Sequence, residues 1–241
     1  MLGIKTPPRA PDADEAEKPF WISYSDLMTA LMVLFLVAMS VSLFSITQKV
    51  ISGPEQHEKK KEACMAEVSA MAKSEFPGVS VRGHTISFGT LAQFKLNDHK
   101  LDASAEATLR KFVPRVLALA RTGQCKEVFK RVVVEGFASQ SGTYIHNLNL
   151  SIQRAERLLC VLLDPIAPDA LSENDRKDVR KLFLVGGRSF NDLKDGRRPE
   201  ESQRIELTLE FLNYSLTSGV EKRENSRDTP LDPPQKCPLD T

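Results

Sequence analysis

The sequence predicts a single membrane-spanning helix followed by a small α+β domain, a mixed sheet with helices on one face. Two observations carry this. Residues 27–46, LMTALMVLFLVAMSVSLFSI, hold no charge, and at about 1.5 Å per residue they span about 30 Å, the thickness of a bilayer core. From residue 79 onward, short alternating or β-branched runs are interleaved with segments of helical period. Across 241 residues, 33 basic side chains meet 32 acidic ones, with no basic stripe, so nothing points to nucleic acid.

Taken in order, residues 1–19 are Pro-rich and charged, with Pro7, Pro8 and Pro11 beside Asp12, Asp14, Glu15 and Glu17. Such a stretch buries no core and reads as a tail. The span, 20–46, opens with Phe20, Trp21 and Tyr24, residues that favour the headgroup level, and then Asp26. The run is longer than a signal-peptide core, starts late and opens with an acid, so it reads as a retained span. Asp26 shares a helical face with Ser23, Thr29, Ala30, Val33, Val37 and Ser40, small and hydroxylated residues of the kind packed membrane interfaces use. Leu31, Leu34, Phe35, Leu36 and Leu43 fall on the other faces. An acid withdrawn from water without a fixed cation favours its protonated form and exchanges protons, which is the physics of a relay. The alternative is an interfacial acid that snorkels back to water.

Gly53-Pro54 is expected to break this helix. Residues 55–76 then read as a charged helix with a thin stripe of Ala63, Ala66, Val68, Ala70 and Met71, a solvated linker within 47–78 that Pro77-Gly78 stops. In the domain, 79–213, residues 79–88 read as a strand. Residues 103–120 read as a helix burying Leu109, Phe112, Val113, Val116 and Leu117, with Pro114 as a kink or break. Strand 131–137, helix 147–163, helix 173–182, strand 183–185 and strand 204–211 follow, and 214–241 is a Pro-rich tail.

No catalytic arrangement is visible. His57, His84, His99 and His146 lack metal-ligand spacing, no C-x-x-C occurs, and Gly186-Gly187 reads as an isolated turn pair, not a phosphate loop. No enzyme activity, cofactor or metal is expected.

The run Trp21-Ile22-Ser23-Tyr24-Ser25-Asp26-Leu27-Met28-Thr29-Ala30 resembles the membrane entry of MotB-like B subunits of stator units, in which the acid at this place carries the proton. Residues 85–211 resemble the OmpA-like peptidoglycan-binding domain. Phe94-Lys95-Leu96-Asn97 resembles its entry, GFASQSGTYIHNLNLSIQRA from Gly136 aligns without gaps to its binding motif, and Gln203-Arg204-Ile205-Glu206 resembles its closing strand. The resemblance implies a peptidoglycan site of Ser139, His146, Asn147, Leu150 and Arg154, with Arg154 clamping a carboxylate through its fork of donors. Asn147 precedes the helix in this reading and suits its cap. Ser139 stands where the family has an acid and Phe137 where it has a histidine, which puts stem-peptide affinity in doubt. A surface salt bridge is the plain alternative for Arg154.

The resemblance also implies the partners: a ring of MotA/ZorA-type subunits, five around two, with this chain as a parallel dimer and peptidoglycan as the anchor. It implies a bacterial inner-membrane, single-pass protein with its N-terminus cytoplasmic and its domain periplasmic. An oxidising compartment allows two disulfides among Cys64, Cys125, Cys160 and Cys237. Cys125 precedes a strand and Cys160 ends the helix returning after it, so Cys125 is expected to pair with Cys160, leaving Cys64 for Cys237. Within that family the chain resembles the B subunits of Zorya anti-phage defence systems, and the short tail, Ser139 and the cysteines lean away from a flagellar protein. A flagellar stator subunit and a passive wall scaffold, in which Asp26 would tolerate Asn, stay open, as does the choice of proton or sodium.

Overall fold

A computed structural model describes residues 13–191, 202–215, 219–220 and 237–240. The first part of the N-terminal tail and most of the Pro-rich C-terminal tail lie outside the described residues. The chain divides into two compact units, Met1–Gly53 and Pro54–Thr241.

Helix α1, Ala13–Glu75, runs through both units. It begins inside the expected tail and continues across Gly53-Pro54, where a break was expected. Proline removes one ladder hydrogen bond and crowds one carbonyl, which weakens a helix locally without ending it. In the first unit every described side chain of residues 23–48 is exposed. Leu34 and Phe35 are 68% and 66% accessible, within an apolar surface far longer than a water-soluble chain leaves bare. Its hydroxyls bond back to the helix: Thr29 Oγ1 to Ser25 O, Ser40 Oγ to Leu36 O, Ser45 Oγ to Val41 O, at 2.7, 2.7 and 2.9 Å. A hydroxyl in hydrocarbon has no water to bond, and the i−4 carbonyl takes that place.

The second unit has a five-stranded sheet of order β1-β2-β5-β3-β4, from β1 Ser80–Arg82, β2 Thr85–Ser87, β3 Phe129–Gly136, β4 Phe183–Gly187 and β5 Ile205–Phe211. All pairs are antiparallel except β3 with β4. A parallel pair needs a crossover, supplied by α4 Tyr144–Leu163 and α5 Glu173–Leu182. The expected single strand at 79–88 is instead the hairpin of β1 and β2, because Gly83 takes a φ of 55° that makes the turn. Val132 and Val134 of β3 and Ile205, Leu207 and Leu209 of β5 enter the core, while the alternate Glu135, Glu206, Thr208 and Glu210 hold the other face.

Helix α2, Ala103–Arg121, starts where Asp102 accepts from Ala105 N, buries the five predicted apolar residues with Ala105 and Ala120, and passes through Pro114 unbroken. A short helix, α3, Cys125–Val128, leads into β3. Helix α4 crosses the sheet where β3 and β4 end in the paired residues Gly136 and Gly187. A Cβ on Gly136 would lie 1.9 Å from Ser151 O, and one on Gly187 would lie 2.5 Å from Ser151 Oγ. Gly186-Gly187 is therefore strand, not a turn pair, and its second glycine is the seat of α4.

Residues 55–75 do not form a solvated spacer. Cys64, Met65, Val68, Met71 and Ala72 belong to the core, and His57 is buried with its Nε2 2.8 Å from Leu212 O. The domain thus begins at Pro54 and not near residue 79. Phe76 meets Phe112 edge-on at 5.0 Å, and Arg115 pairs with Glu75.

The disulfides also differ from expectation: Cys64 joins Cys125 and Cys160 joins Cys237, with Cα separations of 4.8 and 5.5 Å. Cys125 is buried in the core against the C-terminal half of α1, whereas Cys160 lies on a partly exposed flank of α4. The strand-to-helix return packs α4 on β3 but does not pair the two sulfurs. Non-reducing peptide mapping should recover Cys64–Cys125 and Cys160–Cys237 crosslinks and no Cys125–Cys160 crosslink. Replacing Cys64 and Cys125 by Ser should cost about 2–4 kcal/mol of domain stability.

Candidate functional site

In the first unit, Asp26, Thr29, Ala30, Val33, Leu34, Val37 and Ala38 line one strip of α1. Thr29, Ala30, Val33 and Val37 of the predicted face are among them, Ser23 and Ser40 are not, and Leu34, expected on another face, joins with Ala38. Thr29 and Ser40 spend their hydroxyl protons on backbone carbonyls. Among the described residues no cation and no hydrogen-bond donor engages the Asp26 carboxylate.

In the second unit, the site residues gather at the ends of β3 and β4. Thr143 caps α4 by accepting from His146 N, so Asn147 lies inside the helix and not before it. Buried Asn147 donates through Nδ2 to Ser141 O at 2.8 Å and Thr143 O at 3.2 Å, fixing the loop that enters the helix. His146 Nε2 lies 2.6 Å from Asn97 Oδ1, and Asn97 adopts a φ of 59°. Leu150 points inward. Ser139 is buried in the loop after β3, whose backbone is held by Phe137 N to Arg204 O and Ala138 N to Ser189 O. Phe137, in the place of the family histidine, lies 4.1 Å under the Arg204 guanidinium.

Arg154 is 0% accessible. Its Nε donates to Asp98 O at 2.9 Å, Nη1 to Phe137 O at 2.7 Å, and Nη2 to Lys95 O at 3.0 Å and Gln203 Oε1 at 3.2 Å. The Phe94 ring stands 4.9 Å away. Burial lowers its pKa to about 10, the charge of Asp98 pulling the other way. Desolvation is the largest influence on the Asp98 carboxyl and pushes it up. The N–H groups of Lys100 and His99 outweigh it, and the group ends below the usual carboxylate range. Arg154 is therefore neither the open carboxylate clamp nor the surface salt bridge expected. Four of its five donors are spent on neutral oxygens, and it staples the 95–98 loop to the end of β3. Together with His146, one edge of α4 holds that loop at two places.

Sequence reasoning missed Gly136, Gly187 and Ser151, the contact on which α4 rests; small residues in the motif were the available signal. The carbonyls of Lys95 and Asp98 gave none, since any residue supplies a carbonyl. Among the described residues no three His, Cys, Asp or Glu side chains converge as a metal site would need.

Known proteins resemble both units. A family described as membrane MotB of the proton-channel complex MotA/MotB matches residues 5–50. Over 235 residues, 94% of each chain, the sequence is 40% identical to the Zorya protein ZorB of Escherichia coli O139:H28. The chain belongs to the ZorB family. Among solved structures, the periplasmic domain of Helicobacter pylori MotB is 10% identical, covering 55% of this chain and 80% of its own at a TM-score of 0.39. The cell wall anchor of the T6SS from Pseudomonas aeruginosa is 17% identical, covering 61% of this chain and 96% of its own at a TM-score of 0.41.

Proposed function

We propose that this ZorB-family chain is the B-type subunit of an ion-driven membrane unit serving Zorya anti-phage defence. Residues 20–46 cross the inner membrane, Asp26 carries the proton, and the domain beginning at Pro54 lies in the periplasm and holds the unit to peptidoglycan. The chain works as a parallel dimer inside a ring of A-type subunits, five around two.

One observation carries the reading: a chain 40% identical to ZorB along 94% of its length puts an unpaired acid near the head of the fully exposed apolar stretch of α1. That acid lies within the segment similar to a proton-channel subunit. Two disulfides suit an oxidising periplasm. With Arg154 enclosed, wall contact falls to the loop surface around Ser139, Asn97 and His146.

Expression of the whole defence operon in a phage-sensitive host is the test. Plating efficiency should fall with the chain present and return when it is deleted, and the chain should not restore swimming to cells lacking their flagellar stator. Unchanged plating, or restored swimming, rejects the defence role.

A further inference from the structure

The described end of the C-terminal tail is fastened to the partly exposed flank of α4 at two points one helical turn apart. Cys237 is bonded to Cys160, and Asp240 Oδ1 accepts from Arg157 Nη2 at 2.7 Å, with Leu239 O 3.5 Å from the same nitrogen. Arg157 is only 7% accessible, while the Asp240 side chain is 51% accessible, so the cation belongs to the domain and the acid comes to it from outside. Arg157 Nε is buried and has no hydrogen-bond partner among the described residues, and the same holds for His99 Nε2.

Lys100 and His99 also bear on this acid. The Asp240 carboxyl is held below the usual carboxylate range first by the hydrogen bond from Arg157, against some desolvation, and then by the charges of Arg157, Lys100 and His99. The loop carrying these two residues is the one Arg154 grips through Lys95 O and Asp98 O. Two guanidinium groups one turn apart on α4 thus serve the same corner of the domain. Arg154 is consumed by carbonyls, and Arg157 keeps its fork for a carboxylate.

We propose that the nook formed by Arg157, Lys100 and His99 is a carboxylate-binding site, filled in this conformation by the chain's own Asp240 and taking a free carboxylate of a wall peptide when the tail lifts. The site rests on the reading of the domain as a wall anchor and gives it a cationic contact that Arg154 cannot supply. The disulfide keeps the tail at hand, so its acid competes with the wall peptide at high local concentration.

The test is sedimentation of the full-length protein, in detergent, with purified sacculi. Asp240→Asn removes the internal acid and leaves both disulfides, and it should raise the bound fraction several-fold. Adding Lys100→Ala, an exposed change that spares the core, or Arg157→Gln should cancel the gain. Sacculi whose carboxyl groups have been amidated should show no gain. If wild type pellets and Asp240→Asn pellets equally, or if amidated sacculi give the same gain, the carboxylate site is wrong while the wall anchor stands. If no variant pellets, the wall anchor fails and this site falls with it.

Discussion

Asp26→Asn abolishes phage protection while leaving the amount of protein and its membrane insertion at wild-type level. Amide and carboxyl are nearly the same size, and both suit the small-residue strip of Thr29, Ala30, Val33 and Val37. The amide cannot take up or release a proton, so a variant that fits but does not titrate separates ion transport from packing. Because the change removes the carrier itself, the loss should be complete and not graded. Asp26→Glu keeps the proton and lengthens the arm by one methylene, and it should retain part of the activity. Plating assays beside quantitative blots of the membrane fraction measure both quantities. Full protection by the Asn variant would sink the proton-carrier reading and favour a passive wall scaffold.

The second large effect is on stability. Arg154→Ala should destabilise the domain by about 3–5 kcal/mol. Truncation leaves Asp98 O, Phe137 O, Lys95 O and Gln203 Oε1 without their donor and opens a cavity beside Phe94. Each buried acceptor left bare costs about 1–3 kcal/mol, partly recovered where water enters. For a domain of this size that is a fall of about 6–20 °C in melting temperature. Arg154→Lys should recover little, since one ammonium cannot reach four acceptors placed around a planar fork. Thermal melting of the full-length protein in detergent checks both variants. A melt within about a degree of wild type would show that the cage is not holding the loop.

Some of this was local and therefore readable. The apolar span needs only twenty uncharged residues in a row. The buried face of α2 follows from its 3.6-residue period, independent of what packs against it. The residues of the motif from Gly136 to Ala155 come together at the ends of β3 and β4. Contacts between segments distant in sequence were not readable. Residues 55–75 looked solvated because the stripe read there, Ala63, Ala66, Val68, Ala70 and Met71, is thin and mostly alanine; the side chains that enter the core are Cys64, Met65, Val68, Met71 and Ala72, beside residues of α2, α3 and the sheet, and His57 meets Leu212 just after β5. Cysteine pairing depends on which face of each helix turns toward the other, and a strand-to-helix return does not specify that. Arg154 was assigned by its place in the motif, yet its surroundings are mostly backbone carbonyls, which carry no sequence signal. Local propensity and periodicity determined the elements of this protein; the tertiary structure alone decided which side chains are enclosed, because enclosure depends on partners that arrive from elsewhere in the chain.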